Sequence, residues 1–194
     1  MPQNQINIDM CNNYSQWDNC EFDILAQVTH CLNIALVNLH KRKDAQLPDN
    51  IADMCVSIVL SDDIDIRALN KQYRNKDKPT NVLSFPMLDF DDDQDGGANI
   101  ATDNDGEINW PDFPEFDDDG VFHEELGDII ISFDTTMREA QEQSKSFQNH
   151  FTHLILHGFL HLLGYDHIED DEAQKMETTE ISILAELGIE NPYI

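Results

Sequence analysis

The sequence predicts an α+β fold, a small mixed β-sheet packed with about five helices. Three observations predict it. The runs Cys55–Leu60, Asn81–Phe85 and Asp128–Phe133 are short, apolar or β-branched, and of strand length. Other stretches carry apolar residues at three- and four-residue spacing over helical lengths. The two kinds alternate without a regular strand–helix–strand repeat, which argues against a doubly wound parallel sheet.

The elements follow in order. Gln5–Asp9 is a candidate first strand. Phe22–His40 has apolar residues at positions 25, 28, 32, 35, 36 and 39, one face of a helix. Cys55–Leu60 is the next strand. Ser61-Asp62-Asp63 then supplies an N-cap and first-turn acids for a helix whose inner face is Ile66, Leu69 and Tyr73. Asn81–Phe85 is a strand stopped by Pro86. Asp128–Phe133 is nearly all apolar and reads as buried. Asp134-Thr135 caps a helix to about Ser144. Another helix spans Phe147–Leu163 and ends at Gly164, and the last runs from about Asp170 to Leu187 before Gly188 and Pro192.

The 194 residues include 39 acids and 11 bases, a formal net charge of −28. Such a field repels phosphate and excludes a protein that coats nucleic acid through bulk charge. The acidity is concentrated. Asp89–Glu125 holds fifteen acids and no lysine or arginine. With Gly96-Gly97, Gly106, Pro111 and Pro114 and no sustained periodicity, it reads as an acidic loop insert within a single domain spanning 1–194. Trp110, Phe113 and Phe116 are its candidate anchors. Asp103-Asn104-Asp105-Gly106 resembles half a calcium loop but lacks the twelfth-position glutamate, so a solvated loop is the stronger reading. Against this background the bases cluster at Lys41-Arg42-Lys43 and at Lys71, Arg74, Lys76 and Lys78, the latter a local phosphate-attracting stretch.

No run has the eighteen or so apolar residues of a membrane span. Met1-Pro2-Gln3-Asn4-Gln5 has neither the basic nor the apolar region of a secretory signal. Cys11, Cys20, Cys31 and Cys55 are dispersed, without a C-x-x-C pair. A reduced, cytoplasmic setting and no membrane partner are expected.

The chemistry lies between His150 and His167, which contains five of the eight histidines. Residues four apart on a helix share a face, so His157 and His161 can aim two imidazoles at one ion. Gly164 lets the chain leave the helix through a left-handed conformation, and the turn can return His167 as a third nitrogen. Three neutral imidazoles with one open position is the coordination of a catalytic zinc. The spacing is that of the metzincin proteases with one change: Gly158 replaces the glutamate that serves as their general base. The pattern keeps the metal cage and removes the peptidase function. His153 lies on the same stripe as a neighbour or replacement ligand, and Asp166 is placed to orient an imidazole.

His157 to His167, followed by Ile168-Glu169-Asp170-Asp171-Glu172-Ala173, resembles the YbeY-type bacterial endoribonucleases of rRNA maturation. Leu69-Asn70 through Tyr73-Arg74, then Lys76 to Pro86, then Leu126-Gly127-Asp128-Ile129-Ile130-Ile131 match that family's pattern in order. Together these cover roughly residues 53–88 and 126–194, and the insert at 89–125 departs from the family. The resemblance implies one zinc ion on His157, His161 and His167 and Arg74 as the functional arginine. It also implies cleavage of single-stranded RNA, notably at the 3′ end of small-subunit rRNA, and a role in ribosome quality control. The implied partners are the small ribosomal subunit and a ribosome-assembly GTPase. Lys71, Lys76 and Lys78 are candidates to track the RNA backbone. The alternative is a noncatalytic, metal-stabilised ribosome-assembly factor. A third reading, a metallohydrolase acting on peptides or small molecules, is weakened by the absent glutamate.

Overall fold

The computed structural model describes residues 6–42, 45, 47–48, 51, 54–88, 124–167 and 169–194. Along them run β1 (Asn7–Asn12), a 3-10 turn (Ser15–Asn19), α1 (Ile24–Lys41), β2 (Met54–Ser61) and α2 (Asp63–Arg74). These are followed by β3 (Val82–Pro86), β4 (Glu124–Ser132), α3 (Phe133–Glu142), α4 (Phe147–Leu162) and α5 (Asp170–Glu186). The strands form one sheet in the order β1-β2-β4-β3. β2 pairs in parallel with both β1 and β4, whereas β3 runs antiparallel to β4, so the sheet is mixed as expected.

Side-chain alternation assigns the two faces. Val56, Ile58 and Leu60 of β2 and Ile129 and Ile131 of β4 join Leu32 and Leu36 of α1, Ile155 and Phe159 of α4, and Ile183 of α5 in the main core. Val59, Leu83 and Ile130 point the other way and meet Ile66 and Leu69 of α2. α1 and α4 therefore cover one face and α2 the other. Each leucine, isoleucine or phenylalanine fully withdrawn from water contributes about 1.5–3 kcal/mol. At the far end of the sheet Trp17 is buried, donates from Nε1 to the Ser61 carbonyl at 3.0 Å, and packs edge-on to Phe133.

Several boundaries differ from the sequence reading, for physical reasons. β1 starts and ends later than Gln5–Asp9, because its ladder with β2 runs from Asn7↔Cys55 to Asn12↔Leu60; Gln5 lies outside the described residues. β4 begins at Glu124 rather than Asp128. Glu124 and Glu125 pair with Met54 and Cys55, so backbone hydrogen bonding extends the strand into a stretch that composition assigned to the insert. The remainder of that insert, with Trp110, Phe113 and Phe116, lies outside the described residues. α3 starts at Phe133 with Ser132 as its N-cap residue, and Asp134-Thr135 stand inside the helix. Its first turn is satisfied from elsewhere: Asp63 of α2 accepts from the Thr135 N–H at 3.1 Å and from the Ser132 and Thr135 hydroxyls. The cap of α2 is as read, with Asp62 accepting from the Ile64 and Asp65 N–H groups.

Chain direction then fixes where the functional residues gather. α2 runs back from the C-terminal end of β2, so its last turn lies at the opposite end of the sheet, where Tyr73 packs edge-on against Phe85 of β3. α4 finishes at the same end on the other face, where Leu162 abuts Gly127 of β4. Leu88 and Glu124, the described ends flanking the acidic stretch, leave from this end too.

Candidate metal centre

α4 ends in a left-handed turn that aims its histidines. Gly164 has φ +78°, the Tyr165 N–H donates to the Leu160 carbonyl at 3.0 Å, and the Gly164 N–H donates to the His161 carbonyl at 3.1 Å. This paired Schellman arrangement closes the helix and reverses the chain. His167 is thereby carried back over the helix end. Its ring centroid lies 5.7 Å from that of His157 and 5.1 Å from that of His161.

One ring nitrogen from each of His157, His161 and His167 falls within 4.8 Å of the others. Nε2 of His157 and Nε2 of His161 lie 3.1 Å apart. A tetrahedral zinc with Zn–N of about 2.0–2.1 Å holds its ligand nitrogens about 3.4 Å apart, so the set fits such an ion with small adjustment. The electrostatics agree with the geometry. Burial, reinforced by the charges that His157 and His167 can carry, pushes the His161 imidazole down to about 4, so it is neutral at pH 7 with a lone pair to offer. His157 and His161 are half-buried and His167 is exposed, which leaves one side of the cluster toward solvent. Among the described residues no fourth histidine, cysteine, aspartate or glutamate joins the group.

Glu180 of α5, which sequence reasoning passed over, reaches this centre. It is fully buried, and its Oε1 accepts from His157 Nδ1 at 2.9 Å. Burial alone would raise its carboxyl, but the neighbouring imidazoles of His153 and His157 outweigh that and hold it down to about 2. The Tyr193 hydroxyl donates to the other oxygen. A signal for Glu180 did exist. It occupies the buried stripe of α5 with Met176, Thr179, Ile183 and Leu184, where an unpaired carboxylate does not belong.

The remaining candidates are distributed around the centre. His153 stands one turn before His157 with Nε2 3.7 Å from Glu180 Oε1, an ion-pair distance too long for a hydrogen bond. Its ring lies edge-on to Tyr193. Asp166 accepts from the backbone N–H of His167 at 2.7 Å, so its carboxylate holds the turn. Position 158 faces the sheet. A Cβ on Gly158 would lie 3.0 Å from Ile129 Cγ2 and from Ser84 Oγ, so the helix approaches the sheet only because no side chain intervenes there. A glutamate at that position would point into the sheet.

The basic stretch sits at the same end of the sheet but on the opposite face. Arg74 is the exposed last residue of α2 and has no ion-pair partner among the described residues. Lys71 is already paired with Asp77 at 3.2 Å, an acid it shares with Arg67. Lys76 and Lys78 are exposed and form no ion pair among the described residues.

Comparison with known proteins turns this geometry into a lineage. A family model described as Endoribonuclease YbeY matches residues 10–188. The chain belongs to the YbeY endoribonuclease family. The YbeY match includes the end of β1 and all of α1, beyond the segments 53–88 and 126–194 whose motifs carry the resemblance, and it contains all of His157–His167. An endoribonuclease YbeY from Sinorhizobium fredii is 41% identical over 165 residues, 85% of this chain and 79% of that one. YbeY of Magnetococcus marinus is 48% identical over 74% of this chain and 86% of its own length. YbeY of Rhizorhabdus wittichii is 51% identical over 71% and 70% respectively. The solution structure of a Thermotoga maritima protein resembles the fold with a TM-score of 0.47 at 20% identity, over 94% of this chain and 91% of that one, and adds nothing to the assignment.

Proposed function

We propose that this chain is a zinc-dependent endoribonuclease specific for single-stranded RNA, acting in maturation of the 3′ end of small-subunit rRNA and in ribosome quality control in the cytoplasm. The observation that carries the reading is the convergence of three imidazoles at the end of α4 in a YbeY-family chain. The absence of a fourth protein donor among the described residues favours a catalytic over a structural zinc, since structural sites are usually closed by four. No described helix is long and apolar enough to cross a membrane. The small ribosomal subunit and a ribosome-assembly GTPase are the proposed partners, in line with the family resemblance.

When bound, zinc supplies a Lewis acid that activates water and neutralises charge on a phosphoryl group. His157, His161 and His167 would hold it. Arg74 offers a planar fork of N–H donors to phosphoryl oxygens as charge builds on them. Lys76 and Lys78, and Lys71 once it leaves Asp77, attract the RNA backbone locally. With Gly158 facing the sheet, this chain has no glutamate at the metzincin base position, so peptide hydrolysis is not expected.

The test uses purified protein with zinc, after chelator stripping, and with His161→Ala. Single-stranded RNA should be cut only by the metal-loaded wild type, and duplex RNA and denatured casein should stay intact. Zinc binding without RNA cleavage, even with small ribosomal subunits present, would favour the noncatalytic assembly factor instead.

A further inference from the structure

Glu180 is a fully buried carboxylate on a helix that contributes no ligand to the histidine cluster. Packing alone does not account for it, because an apolar residue in that stripe would avoid the desolvation of a charge. Its contacts do. Oε1 lies 2.9 Å from His157 Nδ1, and the Tyr193 hydroxyl donates to Oε2. A carboxylate only accepts hydrogen bonds, so Nδ1 of His157 must carry the proton. In the neutral ring Nε2 is then left with its lone pair, and it is Nε2 that faces His161. Asp166, the acid adjacent to a candidate ligand in sequence, makes its contact with the His167 backbone N–H instead.

Resting on the metal reading above, we propose that Glu180 is the positioning residue of the metal centre, fixing His157 in the Nδ1–H tautomer with Nε2 aimed at the ion, and that Tyr193 locks Glu180 in place. The C-terminal segment is arranged for this second part. Lys145, in the turn between α3 and α4, donates from Nζ to the Pro192 carbonyl at 2.7 Å, and Asn191 Oδ1 accepts from the Tyr193 N–H at 2.9 Å. Through these contacts a segment beyond the last helix bears on a ligand of α4. A carboxylate that orients a ligating imidazole typically changes metal affinity by about 10–100-fold when removed.

The experiment measures zinc affinity by competition with a chromophoric chelator, and the His157 tautomer by imidazole nitrogen-15 shifts in the metal-free protein. The full chain is used as wild type, Glu180→Gln, Glu180→Ala and Tyr193→Phe. Wild-type His157 should be protonated at Nδ1 alone. Glu180→Ala should weaken zinc binding by up to about 100-fold and let His157 populate the Nε2–H form. Glu180→Gln keeps an accepting oxygen and should lose about 10-fold, and Tyr193→Phe should lose less. If alanine fails to fold, the isosteric glutamine carries the test. Wild-type zinc affinity in both Glu180 variants overturns the proposal. So does an unchanged tautomer in Glu180→Ala alongside weakened binding, since that is the mark of general loosening. A wild type that takes up no zinc defeats the metal reading, and the tautomer signature still decides the role of Glu180.

Discussion

A guanidinium presents five N–H donors in a fixed plane and an ammonium presents three that rotate, so the two are not interchangeable at a phosphoryl group. Arg74 is exposed at the last turn of α2, with Tyr73 beside it seated on Phe85. Its removal therefore disturbs no packing. Arg74→Ala is expected to keep its melting temperature and zinc affinity while losing roughly 10²–10³-fold in single-turnover cleavage of single-stranded RNA, the scale of a lost transition-state donor. Arg74→Lys should recover little. Wild-type cleavage by Arg74→Ala would remove the arginine from the mechanism. The clustering of His157, His161 and His167 was legible because a helix repeats every 3.6 residues and a glycine marks where it stops. For Glu180 the apolar stripe around it was legible but its role was not, because its partnership with His157 spans 23 positions and exists only once α5 is laid against α4.

Between elements, contacts decide what sequence pattern leaves open. The sequence shows that the metzincin glutamate is missing; the structure shows that position 158 is where α4 rests on β3 and β4. Restoring the acid with Gly158→Glu is expected to create no peptidase. It should cost about 3 kcal/mol or more by wedging the helix and burying an unpaired carboxylate, read as a lower midpoint in urea unfolding. Strand centres were legible from their apolar runs, but the start of β4 was set by its ladder with β2, and the first turn of α3 by Asp63. Asp63→Ala should strand the Ser132 and Thr135 hydroxyls and cost about 1–3 kcal/mol. Burial tends to raise the Asp63 carboxyl, but those hydroxyls and Arg138 outweigh it and hold it below its ordinary value of 3.8. A depressed carboxyl stabilises the fold fully above its unfolded pKa and loses that contribution as pH falls through the folded one. The stability gap between wild type and Asp63→Asn should therefore be constant from about pH 7 to 5 and close as the pH drops below about 4, which denaturant titrations at stepped pH will show.

At the scale of the molecule, the fold brings three features to one end of the sheet. The histidine cluster at the end of α4 and Arg74 at the end of α2 lie on opposite faces there, with β3 as the edge between them. The acidic stretch leaves and re-enters at the same end. β3 and β4 are antiparallel neighbours to their last rungs, with Pro86 opposite Gly127 and the Met87 N–H donating to the Leu126 carbonyl at 3.1 Å. Leu88 and Glu124 can therefore be joined by a few glycines as an ordinary hairpin. Deleting residues 89–123 removes thirteen acids and no lysine or arginine, taking the formal net charge from −28 to −15. Glu124 and Glu125 should be kept, because they pair with Met54 and Cys55. The shortened chain is expected to fold with a similar melting temperature and to bind zinc as before. It should hold single-stranded RNA more tightly at low salt, since its ends flank the site and like charges act over a Debye length of about 10 Å at 0.1 M. Because the effect is screened repulsion, the gain should shrink toward nothing as salt approaches 1 M, where that length is about 3 Å. Melting curves and RNA affinity at two salt concentrations separate the outcomes. A large drop in melting temperature would mean that the stretch packs on the body, and a loss of RNA affinity that salt does not change would mean that it contacts the substrate.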